Sequence, residues 1–246
     1  MKLFKVLPLI VLCSLSGAIS FAQPAAFDVT GSGSYCQGEI GVIVGLTGSE
    51  TDVTYTLYKN GEAQSLTVPG TGGAIDFGHQ LSGTYTVTGT SESGMLQMNG
   101  EAVIVENATP LTPVITVADN CGSSTLSTNA EGSLLWSTGA TTSSITVNSA
   151  GTYSVTTTVN GCISPAGYGT AAPGTVPPTP AVTVVNNCGS STLSTNAEGA
   201  LMWSTGETTS SITVNSAGTY SVTTTVNGCI SPAGYGTAAP GTVPPT

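Results

Sequence analysis

His79 is the single histidine of the chain and stands in "AIDFGHQL". A catalytic imidazole needs a nucleophile to deprotonate and a carboxylate to orient it. No matched Ser/Asp or Cys set accompanies His79, so it reads as a structural residue beside a strand. Glu50 and Asp52, in "GSETDVT", come nearest to a carboxylate pair. They read as a polar turn before a strand, and a calcium loop would need more converging oxygens. Glu131 and Glu198 recur in the same turn of two near-identical segments, which points to a solvated turn. The Gly-rich "PGTGGAIDFG" (69–78) has no Lys and opens no helix, so it is not a phosphate loop. Trp136 and Trp203 offer either a stacking surface for a sugar ring or a core anchor. The apolar setting "SLLWS" favours the core. Tyr168 and Tyr235, in "SPAGYGTAAP", read as exposed. The sequence therefore predicts no catalytic residue, no metal site and no cofactor.

The elements that would hold such residues begin with "MKLFKVLPLIVLCSLSGAISFAQ". Two lysines, a short apolar run and a small-residue end predict a secretory signal peptide over 1–22, cut after Ala22. The run is short for a membrane span, and no cationic stop-transfer flank follows. Cys13 follows Leu12 rather than a small residue, which argues against lipidation. Beyond the cut, Lys59 is the single Lys or Arg, while all 13 acids remain, for a formal charge of 1 − 13 = −12. A chain with no basic face is a poor partner for nucleic acid or an anionic membrane surface. Low charge combined with 39% hydrophobic residues is not a disorder signature. Thr and Val abound, and Gly and Asn-Gly punctuate them, so the predicted class is all-β.

Residues 113–179 and 180–246 are copies that differ at seven positions: 114, 115, 118, 119, 133, 135 and 140 in the first. Each copy carries short strand signals: "VITV" (114–117), "STLST" (124–128), "SLLWS" (133–137), "SSITVN" (143–148) and "GTYSVTTTV" (151–159) in the first. Ile145 and Val147 share one face of their strand; Tyr153, Val155, Thr157 and Val159 share one face of theirs. Asn160-Gly161 is a two-residue hairpin turn that needs positive φ. Tyr153 and Tyr220, like the two Trp residues, read as core anchors. "VTYTLYKNGEAQSLTV" (53–68) is a hairpin over Lys59-Asn60-Gly61-Glu62, and "GTYTVTGT" (83–90) matches "GTYSVTTT", which makes Tyr85 the equivalent anchor. The resulting layout is a β-sandwich module over 23–109, a first repeat over 110–172, a Pro-rich linker over 173–179 and a second repeat over 180–239. Residues 240–246 begin the next linker, and the repeat boundary at Thr246 reads as part of a longer array.

Export makes disulfides the expectation for the cysteines of the mature chain. The simplest pairing lies within each copy, Cys121–Cys162 and Cys188–Cys229, each closing a loop of about forty residues worth roughly 4 kcal/mol. Cys36 is left over and predicted unpaired. A metal site is the rival reading, but the repeats hold neither histidine nor Cys-x-x-Cys. In the usual immunoglobulin order the second cysteine sits about two residues after the corner Tyr, where this chain has Val155.

The stretch "CGSSTLSTNAEGSLLWSTGATTSSITVNSAGTYSVTTTVNGC" (121–162) resembles the immunoglobulin-like tandem modules of large secreted surface proteins of Bacteroidetes. "CQGEIGVIVGLTGSE" and "VTYTLYKNG" resemble another module type of the same proteins. The resemblance implies export to the cell surface, often by the type IX route, and a role as adhesin or spacer. It brings no catalytic residues. Its pattern has a second cysteine near Gly94, where this chain has Met95. The expected architecture is thus a string of immunoglobulin-like β-sandwiches joined by Pro-rich linkers. The expected function is a secreted, non-catalytic cell-surface adhesin or stalk. Its partner would be a surface glycan or another cell-surface protein, without nucleic acid or membrane insertion. The rival function is a carbohydrate-binding module array from a polysaccharide-degrading enzyme; a small hydrolase lacks a base.

Overall fold

The computed structural model of the protein describes residues 23–242. The predicted signal peptide and residues 243–246 lie outside the described residues. The described chain is all-β, and it divides into two compact units that meet between Ala108 and Thr109. None of its helices is long and apolar enough to cross a membrane, because the described residues form strands and turns.

The first unit is a two-sheet sandwich. One sheet has the order β1-β3-β6: Val29–Thr30, Val42–Leu46 and Ile75–Gln80. The other has the order β2-β9-β7-β4-β5: Gly33–Cys36, Ala102–Asn107, Gly83–Ser91, Thr54–Lys59 and Glu62–Pro69. A short β8, Gly94–Gln97, pairs with β7. Strand β2 runs parallel to β9, so Cys36 lies beside Asn107, where the chain leaves the module. Val44, Tyr55, Leu57, Tyr85 and Val87 fill the space between the sheets. The Asn60-Gly61 hairpin sits where the sequence placed it, with Lys59 opposite Glu62 and positive φ at both turn residues.

The second unit contains both repeats, and each is a smaller sandwich. In the first, one sheet is β10-β11-β13: Thr116–Asn120, Ser123–Ser127 and Ser144–Val147. The other is built on β14, Gly151–Val159, flanked by β12, Ser133–Trp136, and by β15 and β16, Cys162–Ile163 and Gly167–Ala171. The second repeat reproduces this as β17–β23. Its first sheet is Thr183–Asn187, Ser190–Ser194 and Ser211–Val214 (β17, β18, β20); its second is Ala200–Trp203, Gly218–Val226, Cys229–Ile230 and Gly234–Ala238 (β19, β21, β22, β23).

Alternation decides which residues enter these cores. Ile145 and Val147 are buried while Ser144 and Thr146 face water. Trp136 is 2% exposed, and its indole N–H donates to Thr142 O at 2.8 Å; Trp203 is also 2% exposed and bonds Thr209 O at 2.8 Å. A buried Trp needs such a partner, because an unmet N–H in a core costs about 1–3 kcal/mol. Leu126 on β11 and Val155 on β14 pack with Trp136. They take the positions where immunoglobulin domains join their sheets by a disulfide.

A tyrosine corner closes every module. The Tyr85 hydroxyl donates to Leu81 O at 2.6 Å, Tyr153 to Ser149 O at 3.1 Å and Tyr220 to Ser216 O at 3.2 Å. Each bond spans four residues back along the chain and fixes the approach to the longest strand. Tyr85 is buried, and Tyr153 and Tyr220 are half-buried against their cores.

Strand β16 has no apolar alternation. Its inward positions are Gly167, Gly169 and Ala171, and the start of the repeat lies across the two glycines. A Cβ at Gly167 would overlap the Pro113 carbonyl, and one at Gly169 would sit 2.6 Å from Ile115 Cγ2. Asp119 ties the same corner together. Its carboxylate accepts from Ser124 Oγ and from the Ala172 N–H at 2.9 Å, and those two donors, the Ser124 hydroxyl foremost, hold its carboxyl below the usual carboxylate range.

Candidate functional site at the repeat junction

The two ends of a repeat carry different cysteines. Cys121 lies at the β10–β11 turn, next to the point where the chain leaves the repeat. Gly174 N donates to Asn120 O at 2.9 Å, and Gly122 N donates to Gly174 O at 2.7 Å. Cys162 lies just past the Asn160-Gly161 turn, at the other end of the nine-residue β14. Ala171 pairs with Gly151 at the Cys121 end of that strand, and Cys162 pairs with Val159 at the far end. At about 3.3 Å per residue the two poles are roughly 25 Å apart. A disulfide needs Cα atoms within about 7 Å.

The within-repeat pairing is therefore wrong for both copies. Cys121 is bonded to Cys229, with Cα atoms 5.5 Å apart at a sequence separation of 108. Cys188 is a free, exposed thiol, so Cys188–Cys229 does not form. Cys162 is disulfide-bonded, and its partner is not Cys121. Cys36, expected to be unpaired, is disulfide-bonded as well. Cys121 and Cys188 are equivalent in sequence, yet of the two it is Cys121 that has the tip of another repeat beside it. The tip of the second repeat meets the base of the first.

Glycine makes room for this bond. A Cβ at Gly174 would lie 2.8 Å from Cys229 Sγ. The Pro-rich segment after it is not free of the modules: Pro177 and Pro180 are buried, and Gly174 is hydrogen-bonded into the first repeat. With Asn196–Glu198 and the Asn227 turn, this segment walls a cavity of about 760 Å³ beside Cys229.

The other sequence candidates lie apart from this junction. His79 is exposed, with Nδ1 3.1 Å from Gly41 O. Glu50 Oε2 accepts the Ala25 N–H at 2.8 Å, and the Glu50 N–H donates to the Tyr55 hydroxyl at 3.0 Å. Burial, ahead of the nearby Glu50 charge, pushes the Tyr55 phenol above its ordinary pKa. Glu50, Asp52 and Glu92 border one cleft at an end of the first module. Among the described residues no group of three or more His, Cys, Asp or Glu could hold a metal ion. Glu131 and Glu198 are exposed, and their backbone carbonyls accept the Thr157 and Thr224 hydroxyls. Tyr168 and Tyr235 are 70% and 68% exposed. Tyr168 stands opposite Ser154 in the register, on the outward face that also shows Leu135 and Ile163.

These sandwiches, with their tyrosine corners and core Trp, define the class: tandem immunoglobulin-like β-sandwich modules. No protein-family model and no curated protein sequence matches the chain. Among solved structures, the chain is similar to the ICAM-5 D1–D4 ectodomain fragment, at 11% identity and a TM-score of 0.41, over 88% of this chain and 76% of that one. It is also similar to titin domains A168–A170, at 14% identity and a TM-score of 0.29, over 89% and 98%. Fibronectin(III)-like modules of Clostridium thermocellum CbhA are similar at 10% identity and a TM-score of 0.33, over 60% and 94%.

Proposed function

We propose that the chain is a secreted, non-catalytic cell-surface protein that acts as a spacer or stalk and presents an adhesive face to a surface partner. The observation that carries this is the Cys121–Cys229 bond, which fastens the base of one sandwich to the tip of the next. A disulfide across the joint keeps two modules fastened when the chain is pulled, as a spacer requires, and brings no catalytic group with it. Disulfides of this kind fit an oxidising compartment outside the cytoplasm. The partner is a surface glycan or another cell-surface protein; the chain's acidic balance disfavours nucleic acid. Antibody labelling of intact, unpermeabilised cells that make the protein tests the location. Labelling only after permeabilisation would overturn the reading.

A second reading, a glycan-binding module array, is favoured by one observation. Tyr168, Ile163 and Leu135, and their counterparts Tyr235, Ile230 and Met202, stand exposed on corresponding sheet faces. Aromatic rings on an open face suit stacking on sugars. A glycan array decides it: binding to one polymer that is lost in Tyr168→Ala/Tyr235→Ala supports this second reading, and no binding sinks it.

A further inference from the structure

We infer that Cys188 is the acceptor for a further module: it forms a disulfide with the tip cysteine of another repeat of this kind, seated on the second repeat as the second is seated on the first. The inference extends the spacer reading but does not depend on it.

Three observations lead here. First, the cysteines fall into two positional kinds. Cys36, Cys121 and Cys188 each lie beside the exit of their module, at Asn107, Gly174 and Gly241. Cys162 and Cys229 each follow an Asn-Gly turn at the opposite pole. Both tip cysteines and the first two base cysteines are disulfide-bonded, and Cys188 alone is a free thiol among the described residues.

Second, the base of the second repeat already has the geometry that receives a tip in the first. Gly189 N donates to Gly241 O at 2.8 Å and Gly241 N to Asn187 O at 2.8 Å, matching 2.7 and 2.9 Å at Gly122 and Gly174. The isolated bridge Cys188–Gly241 repeats the bridge Cys121–Gly174.

Third, glycine stands at both positions, yet its contacts differ. At Gly174 the Cβ position is taken by Cys229 Sγ, 2.8 Å away. At Gly241 the nearest atoms are Asn187 O at 3.5 Å and Cys188 Cα at 3.7 Å, both in the turn itself. The occupant that fits is an Asn-Gly-Cys hairpin like 227–229. In the first repeat the Cys121 sulfur lies 3.9 Å from Gly228 O of that hairpin.

The step is an ordinary oxidation. Two thiols, Cys188 and the incoming tip cysteine, lose two protons and two electrons and form one S–S bond. The electrons reduce the disulfide of a thiol oxidant, which leaves as two thiols.

The test extends the full chain by one more copy of residues 180–246 and refolds it with oxidised glutathione. Peptide mapping is expected to join Cys188 to the second cysteine of the added copy. Maleimide should then label the first cysteine of the added copy instead of Cys188. In the same extended chain carrying Cys188→Ser, both cysteines of the added copy should become labelled. If the added copy's own cysteines pair with each other, or if Cys188 stays open to maleimide in the extended chain, the inference is overturned. Circular dichroism of the Cys188→Ser chain checks that it folds, since Cys188 makes no bond in the chain as it stands.

Discussion

Cys121 and Cys229 have their Cα atoms 5.5 Å apart although their sequence separation is 108. Two sandwiches with separate cores are thereby held as one compact unit. Closing a loop of this length is worth about 4.7 kcal/mol on the loop-entropy model, somewhat more than a loop within one repeat.

Peptide mapping of residues 23–246 under non-reducing conditions should yield a Cys121–Cys229 peptide and, among the described residues, one thiol open to maleimide, at Cys188. A Cys121–Cys162 peptide would contradict the pole-to-pole geometry. Cys121→Ser should expose Cys229 to the label and lower stability by about 2–5 kcal/mol, read from urea unfolding.

Pulling the chain by its ends should show a shortened contour. The bond short-circuits the interval from Cys121 to Cys229, a sequence separation of 108, so most of that interval cannot be drawn out. Reduction should lengthen the unfolded chain by roughly 350 Å or more, at about 3.3 Å per extended residue. Equal lengths before and after reduction would show that the bond does not form.

Trp136→Ala should cost about 3–5 kcal/mol, as truncation of a buried aromatic does. It also leaves Thr142 O without its indole donor. Denaturant unfolding followed by Trp203 fluorescence would show whether the loss spreads to the second repeat. A Trp136→Ala protein as stable as the parent would mean the ring does not anchor the core.

Acid should weaken the Asp119 corner. Unfolded Asp titrates near pH 3.9, and the folded value lies lower. The contribution is therefore complete above the unfolded value and is lost as pH falls through the folded one. Asn186 performs the same task in the second repeat without a charge, accepting from Ser191 Oγ and, at 3.0 Å, from Ala239 N. Asp119→Asn should thus lose less stability than the parent between about pH 4 and pH 2, measured by thermal melts across that range. Identical acid sensitivity would show that the two donors do not favour the charged form.

Trypsin has one possible cut in residues 23–246, after Lys59. That bond enters a hairpin turn in which Asn60 N donates to Thr84 O at 2.8 Å and Asn60 Oδ1 accepts from Thr84 N at 2.9 Å. The folded protein should survive hours of digestion, because cleavage needs local opening. Rapid cleavage at Lys59 on a gel would show that the hairpin frays.

Strands with alternating side chains were legible from the sequence, and those without were not. "SITVN" and "GTYSVTTTV" gave their faces away, and each Asn-Gly marked a turn. Strand β16 did not show itself, because two of its three inward residues are glycines covered by Pro113 and Ile115 and the third is the small Ala171. The first strand begins two residues later than "VITV" suggested and runs on through Asp119 and Asn120. Those residues are poor strand formers, but here they end a hairpin and Asp119 takes two donors. The cysteine pairing was hidden for a different reason. Spacing along the chain does not say at which pole of a sandwich a residue lies, and the copied sequence allows a bond to a neighbour as readily as one within.

Chain order gives the junction a timing. Cys121 is synthesised 108 residues ahead of Cys229, a delay of roughly 5–20 s at 5–20 residues per second. Cys162 emerges in between and is the earlier thiol to collide with. Once the first sandwich has closed, its two cysteines stand at opposite ends, too far apart to pair. Folding of each repeat thus acts as the proofreader of the bond that follows it.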